Sequence, residues 1–303
     1  MQNEMTESSR VYANRWLLFS CWVVVATLFF IKPVFALVRL SLAQDDASHL
    51  ILIPFISAVL LFLEHRTIVR HTTSDKTTGG VLLLLAGCLT LASFYLRNHP
   101  ALGLQLSLWI LALVVLWAAG FALLFGKGGV GATSFPLLFL LLMIPIPSFL
   151  LDRIILALQE GSAWITGALF DLVGVPVLRE GLVFHLTKVS IEVAKECSGI
   201  RSSMALLILA LLVAHFRLRS LWNQLIFVAF GLFLMILKNG VRIATLTLLA
   251  VYVDPDFLFG RLHRQGGVVF FVLALLLLLP LLYFLQRRES LRESKKALAA
   301  ESA

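Results

Sequence analysis

The chain has 303 residues, 60% of them hydrophobic and 14% charged, with a mean hydropathy of +0.95 and a formal net charge of +8. A soluble domain carries ~25% charged residues; a water-soluble globule cannot hide this much apolar surface, so lipid is the solvent for most of the chain. The cations sit between apolar runs and at the C-terminus (Arg66 and Arg70, Arg217 and Arg219, then Arg287, Arg288, Arg292, Lys295 and Lys296), which is membrane-flanking charge and excludes a nucleic-acid-binding stripe or a cytosolic metabolic enzyme.

A bilayer core of ~30 Å takes about 20 apolar residues per helix. The apolar runs predict about eight spans: 16–38, 49–63, 80–96, 103–125, 134–151, 199–216, 222–250 and 266–286. Arg10 and Arg15 precede the first run and no small-residue cleavage site follows, so an uncleaved first membrane helix is expected. The second run is short and holds Pro54. Gly126 to Gly131 lacks the Lys-Ser/Thr ending of a phosphate loop and reads as a flexible turn. The fold class is therefore an all-α polytopic membrane protein, a single domain over 1–303 whose residues 287–303 form a basic cytoplasmic tail. No internal repeat is visible.

Orientation follows from Lys and Arg in the short loops. With the N-terminus inside, Arg10, Arg15, Arg66, Arg70, Lys76, Lys127, Arg217, Arg219 and the C-terminal cations share one side. They outnumber Arg39, Arg97, Lys238, Arg242, Arg261 and Arg264 on the other. Both termini are expected in the cytoplasm. That choice places residues 152–198 outside, as the one long extramembrane stretch. It opens with Asp152-Arg153 and predicts an amphipathic surface helix through about Asp171. From Val177 to Val193 the residues alternate imperfectly around Arg179-Glu180-Gly181, and a β-hairpin and an irregular loop both fit.

Three polar sites lie at the outer ends of apolar runs. Glu196-Cys197-Ser198-Gly199-Ile200-Arg201 precedes the sixth span, with Ser198 and Gly199 available for a turn. A thiol at a helix N-terminus, one turn from Arg201, meets amides and charge that favour its thiolate. Lys238-Asn239-Gly240-Val241-Arg242-Ile243 puts an arginine in an apolar helix, where it faces a partner or a wet cavity or else snorkels to the interface. His263-Arg264-Gln265-Gly266-Gly267 precedes the last span and supplies a base or acid near neutral pH. The same helix count puts all three on one membrane face.

Cys197 as nucleophile, His263 as proton carrier and Arg242 at the developing oxyanion suffice for acyl transfer. Cys21 and Cys88 lie in apolar runs, and the three cysteines give neither a disulfide framework nor a metal-ligand pair. No metal and no cofactor are expected. A serine protease's Gly-x-Ser-x-Gly and a zinc protease's His-Glu-x-x-His are missing from the sequence, as is an Asp pair in facing spans.

The residues resemble the exosortases and archaeosortases, integral membrane cysteine transpeptidases of protein sorting. The likeness covers most of the chain. It runs through Ser48-His49 with Pro54, Phe135-Pro136-Leu137, Ile144-Pro145-Ile146-Pro147, Arg179-Glu180-Gly181, Glu196-Cys197-Ser198-Gly199-Ile200-Arg201-Ser202, Asn239-Gly240-Val241-Arg242-Ile243, and His263 with Gly267. The resemblance implies Cys197, Arg242 and His263 as catalytic residues, and Glu196, Ser198, Gly199, Arg201 and Asn239 support them. It implies secreted partner proteins whose C-terminal signal has a short motif such as Pro-Glu-Pro, a transmembrane helix and a basic cluster. It further implies cleavage near the motif, transfer to a surface acceptor, and a link to exopolysaccharide in the inner membrane of Gram-negative bacteria, with the site facing the periplasm. Arg179 and Lys195 are candidate cations for an acidic motif residue, along with Arg201. The competing reading is a non-catalytic membrane subunit of polysaccharide or lipid export, in which Arg242 and His263 bind an anionic headgroup and Cys197 is incidental.

Overall fold

The computed structural model describes residues 2–73, 76–96, 104–187, 189–258 and 267–301. The chain divides into two compact units, residues 1–151 and 152–303. Among the described residues, seven helices are long and apolar enough to cross a membrane, or eight if the broken pair Ser134–Met143 and Ser148–Val173 makes one span. With one small sheet, this is the all-α polytopic membrane protein that the composition requires.

In the first unit, the run 16–38 is divided between α1 (Gln2–Phe29) and α2 (Ile31–Ala43). Pro33 explains the break at Phe30, because its ring collides with the carbonyl four residues back, that of Phe29. α3 (Leu52–Leu63) tolerates Pro54 because it falls in the first turn. After α4 (His65–His71) and α5 (Thr77–Tyr95) comes α6 (Leu104–Ala132). The expected flexible turn at Gly126–Gly131 is instead a sharp kink at Gly126, φ +70°, with helix on both sides. A Cβ there would collide with Thr73 Oγ1.

Trp22 anchors α1 to α6 by donating to the Leu116 carbonyl at 2.9 Å, and Trp16 and Phe19 of α1 meet Phe121 and Phe125 of α6 edge-on or tilted. The run 134–151 is not one helix. α7 (Ser134–Phe139) passes through a 3₁₀ turn, Leu140–Met143, into an open stretch at Pro145-Ile146-Pro147 before the next helix begins at Ser148. Two prolines remove the amides a helix needs, and Ser107 and Ser57 donate to the carbonyls of Pro145 and Pro136, each at 2.7 Å.

The second unit carries the remaining elements. α8 (Ser148–Val173), whose first residues belong to the first unit, covers the stretch read as a surface helix. β1 (Leu178–Glu180), β2 (Val183–His185) and β3 (Ser190–Glu192) form an antiparallel sheet in that order, so the hairpin exists and a third strand extends it. Gly181, φ +62°, opens the two-residue turn between β1 and β2, a position that hairpin twist leaves to glycine. Phe184 of β2 is fully buried and meets Phe170 of α8 edge-on at 5.6 Å. Their core includes Ala244 of a later helix, Leu221–Tyr252, so sheet, α8 and that helix pack together.

α9 (Ile200–Arg217), α10 (Leu221–Tyr252) and α11 (Gly267–Glu301) share a second core built on Leu206, Phe227, Leu234 and Leu278. The start of α10 is capped by α11 rather than by its own Ser220 hydroxyl. The Glu289 carboxylate accepts from the amides of Arg219 and Ser220, at 3.0 and 2.9 Å, and from the Asn223 side chain at 2.7 Å.

Candidate active site

Cys197 belongs to a 3₁₀ turn, Lys195–Ser198, that leads through Gly199 straight into α9. The thiol segment therefore stands at a helix N-terminus, as its sequence implies. The backbone of Glu196 and Cys197 is described, while their side chains lie outside the described residues. His263 also lies outside them.

Gly199 makes the turn possible. Its φ of +70° is the left-handed region, where a Cβ costs ~1–2 kcal/mol. An added Cβ would also stand 2.9 Å from Asn239 Oδ1. The thiol turn and Asn239 of α10 are thus in direct apposition across about 40 residues of sequence. Gly199→Ala is expected to cost about 1–2 kcal/mol and lower the unfolding midpoint in detergent; an unchanged midpoint would show that the turn adapts.

Asn239 is itself fixed from behind. It is 2% exposed, and its amide donates to Ser162 Oγ of α8 at 3.0 Å. Thr166 of α8 donates to the carbonyls of Ser162 and Gly240, at 2.8 and 3.2 Å. Gly240 allows this closeness: a Cβ there would stand 2.5 Å from Cβ of Ile165. α8 and α10 are thereby tied by polar bonds within an apolar bundle, where each unmet polar group is costly.

The cations are distributed unevenly. Arg242 lies one helical turn beyond Lys238 on α10 and is half-buried, and Arg201 is exposed on the first turn of α9. Lys238, given no role in the sequence reading, is 8% exposed and donates to Ser202 Oγ, which in turn donates to the Gly199 carbonyl at 3.0 Å. Its signal in the sequence is a lysine inside an apolar span, four residues before an arginine.

Ser198 is 1% exposed, and its hydroxyl has no hydrogen-bond partner among the described residues; the same holds for the Ser203 hydroxyl. Arg179 folds back onto its own hairpin, donating to the Gly181 carbonyl at 3.0 Å with its guanidinium over the Phe184 ring. Lys195 is held by Asp152 at 2.7 Å, both side chains well exposed. Either cation would leave a present contact to take a substrate carboxylate.

Among the described residues no group of three His, Cys, Asp or Glu side chains is arranged to hold a metal ion. Chemically, the arrangement offers a helix-start turn in a cationic surround, pinned by serines and an asparagine.

A family model described as transmembrane exosortase matches residues 40–280. Comparison with curated proteins and with solved structures finds no match.

Proposed function

The chain belongs to the transmembrane exosortase family, whose members are in general cysteine transpeptidases acting on secreted proteins with C-terminal sorting signals, and on that footing we propose that Cys197 is its nucleophile. The apposition of Gly199 with Asn239 carries this reading, because it sets the turn holding the only polar-context cysteine against the helix segment holding Arg242.

In the proposed reaction the Cys197 thiolate attacks the scissile carbonyl carbon, and the negative charge moves to the carbonyl oxygen. Arg242 donates to that oxygen as the tetrahedral intermediate forms. The C–N bond then breaks, His263 protonates the departing amine, and the protein is left as a thioester on Cys197. A nucleophile of a surface acceptor, or water, attacks the thioester and gives its proton to His263. The sorted protein is released, and the Cys197 thiolate and the protonated His263 are restored.

The substrate is a secreted protein ending in a PEP-CTERM-type signal: short motif, transmembrane helix and basic cluster. Its helix reaches the site sideways through lipid, and its basic cluster stays cytoplasmic by the same rule that would place both of this chain's termini there. The site then faces the periplasm across the inner membrane, with transfer linked to exopolysaccharide production. Arg179, Lys195 and Arg201 are the cations available to an acidic motif residue.

The reading is tested by co-expressing the chain with a secreted reporter that carries such a signal. Loss of the reporter's C-terminal helix, absent when the helix or motif is scrambled, is expected. A reporter that stays intact across a panel of motifs would overturn the proposal.

A further inference from the structure

We infer that Lys238 is a positioning residue of the thiol site, holding the Gly199 turn through Ser202 and favouring the thiolate of Cys197. The inference rests on Cys197 being the reactive group.

A lysine inside a membrane helix is expensive and ordinarily snorkels to the interface. Lys238 is 8% exposed and packed by protein. Its hydrogen bond goes to a neutral hydroxyl, Ser202, and no carboxylate among the described residues forms an ion pair with it. Arg242 lies one turn away on the same helix, so two like charges are set close together at positions where such pairs destabilise a helix.

The bonds from Lys238 lead to the turn that carries the thiol. Its ammonium donates to Ser202 Oγ, Ser202 Oγ donates to the Gly199 carbonyl, and the Ser203 amide donates to the same carbonyl at 2.9 Å. Gly199 lies two residues after Cys197. The lysine thus grips the turn that carries the thiol and adds its charge there. In the sequence, Lys195, Glu196 and Arg201 flank the thiol, and Arg242 lies one turn beyond Lys238 on α10. From α8, Ser162 accepts from Asn239 and Thr166 donates to the Gly240 carbonyl, both neutral groups.

A merely structural lysine would leave the thiol's titration alone. The test uses the full chain in detergent with Cys21 and Cys88 replaced by serine, so that Cys197 is its one thiol. Iodoacetamide alkylation is followed against pH in the parent and in Lys238→Met, Lys238→Gln and Lys238→Arg.

The Met and Gln variants are expected to shift the alkylation midpoint upward by about one pH unit, a roughly tenfold slower reaction below the midpoint. Arg, which keeps the charge, is expected to retain most of the parent profile. Superimposed profiles in a folded Lys238→Met protein would overturn the inference. If that variant fails to fold, Ser202→Ala decides the matter by breaking the link while keeping the ammonium: a raised midpoint supports the inference, an unmoved one refutes it.

Failure of the proposed function reads differently. Reporter cleavage that survives Cys197→Ser removes the transpeptidase reading whatever Lys238 does to alkylation. Coincident profiles alongside cleavage that depends on Cys197 remove only this inference.

Discussion

Cys197→Ser is expected to lower reporter cleavage by about 10⁴-fold or more, the scale on which removing a nucleophile acts. The chemistry behind the number is the difference between a thiol and a hydroxyl. A cysteine is already partly ionised near neutral pH and intrinsically very nucleophilic, whereas a serine needs a strong base to act at all. The two side chains are close in size, so the Gly199 turn and its bonds to Ser202 and Ser203 have no reason to change. Folding measured by thermal unfolding should therefore match the parent while cleavage disappears. A polysaccharide or lipid export subunit predicts the reverse, with function retained in Cys197→Ser. Cleavage within tenfold of the parent would end the cysteine mechanism.

The second large effect is expected from Arg242→Lys, which keeps the charge. A guanidinium presents a planar fork of donors able to hold an oxyanion and another partner at once, while an ammonium is a compact point charge. Arg242 is one turn from Lys238, and Lys238 already supplies an ammonium at this level of α10. A second ammonium would duplicate the charge without restoring the fork. Losing one oxyanion donor costs about 10²–10³ in rate, and the loss should appear in kcat with KM little altered. Near-normal kcat in Arg242→Lys would remove the arginine from the oxyanion role and leave it a structural part of α10.

Much of this architecture is legible in the sequence because hydropathy over a window reports burial in lipid directly. The apolar runs from 199 to 216 and from 222 to 250 correspond closely to α9 and α10. Hydropathy is blind to backbone geometry, however. The runs 16–38 and 134–151 look continuous, yet Pro33 and the pair Pro145 and Pro147 interrupt them, and those prolines were visible throughout. The alternation after Val177 was too irregular to separate a hairpin from a loop. What decides for the hairpin is Phe184 burying itself on Phe170, a contact between elements.

Within the site, the glycine turn beside Cys197 follows from local sequence. The link between Lys238 and Ser202 spans 36 positions and exists only once α9 lies against α10. Arg179 and Lys195 show the opposite limit. Composition counts them as cations open to a substrate, while packing assigns one to a carbonyl and a ring and the other to Asp152.

The Glu289 cap at the start of α10 also acts at a distance. Leu221 and Arg242 are 21 residues apart on one helix, or about 32 Å at 1.5 Å per residue. A rod pinned at one end transmits its axial setting to the other. The Glu289 carboxylate is such a pin, since it grips two backbone amides and a side chain at the first turn. Slippage of α10 against α11 by a single residue would carry Arg242 along by about 1.5 Å, and misplacement on the ångström scale is enough to cost a reaction ~10²-fold. The depth at which the arginine sits is therefore gauged by the protein against its own last helix, and a thicker or thinner bilayer can tilt the pair without resetting the gauge.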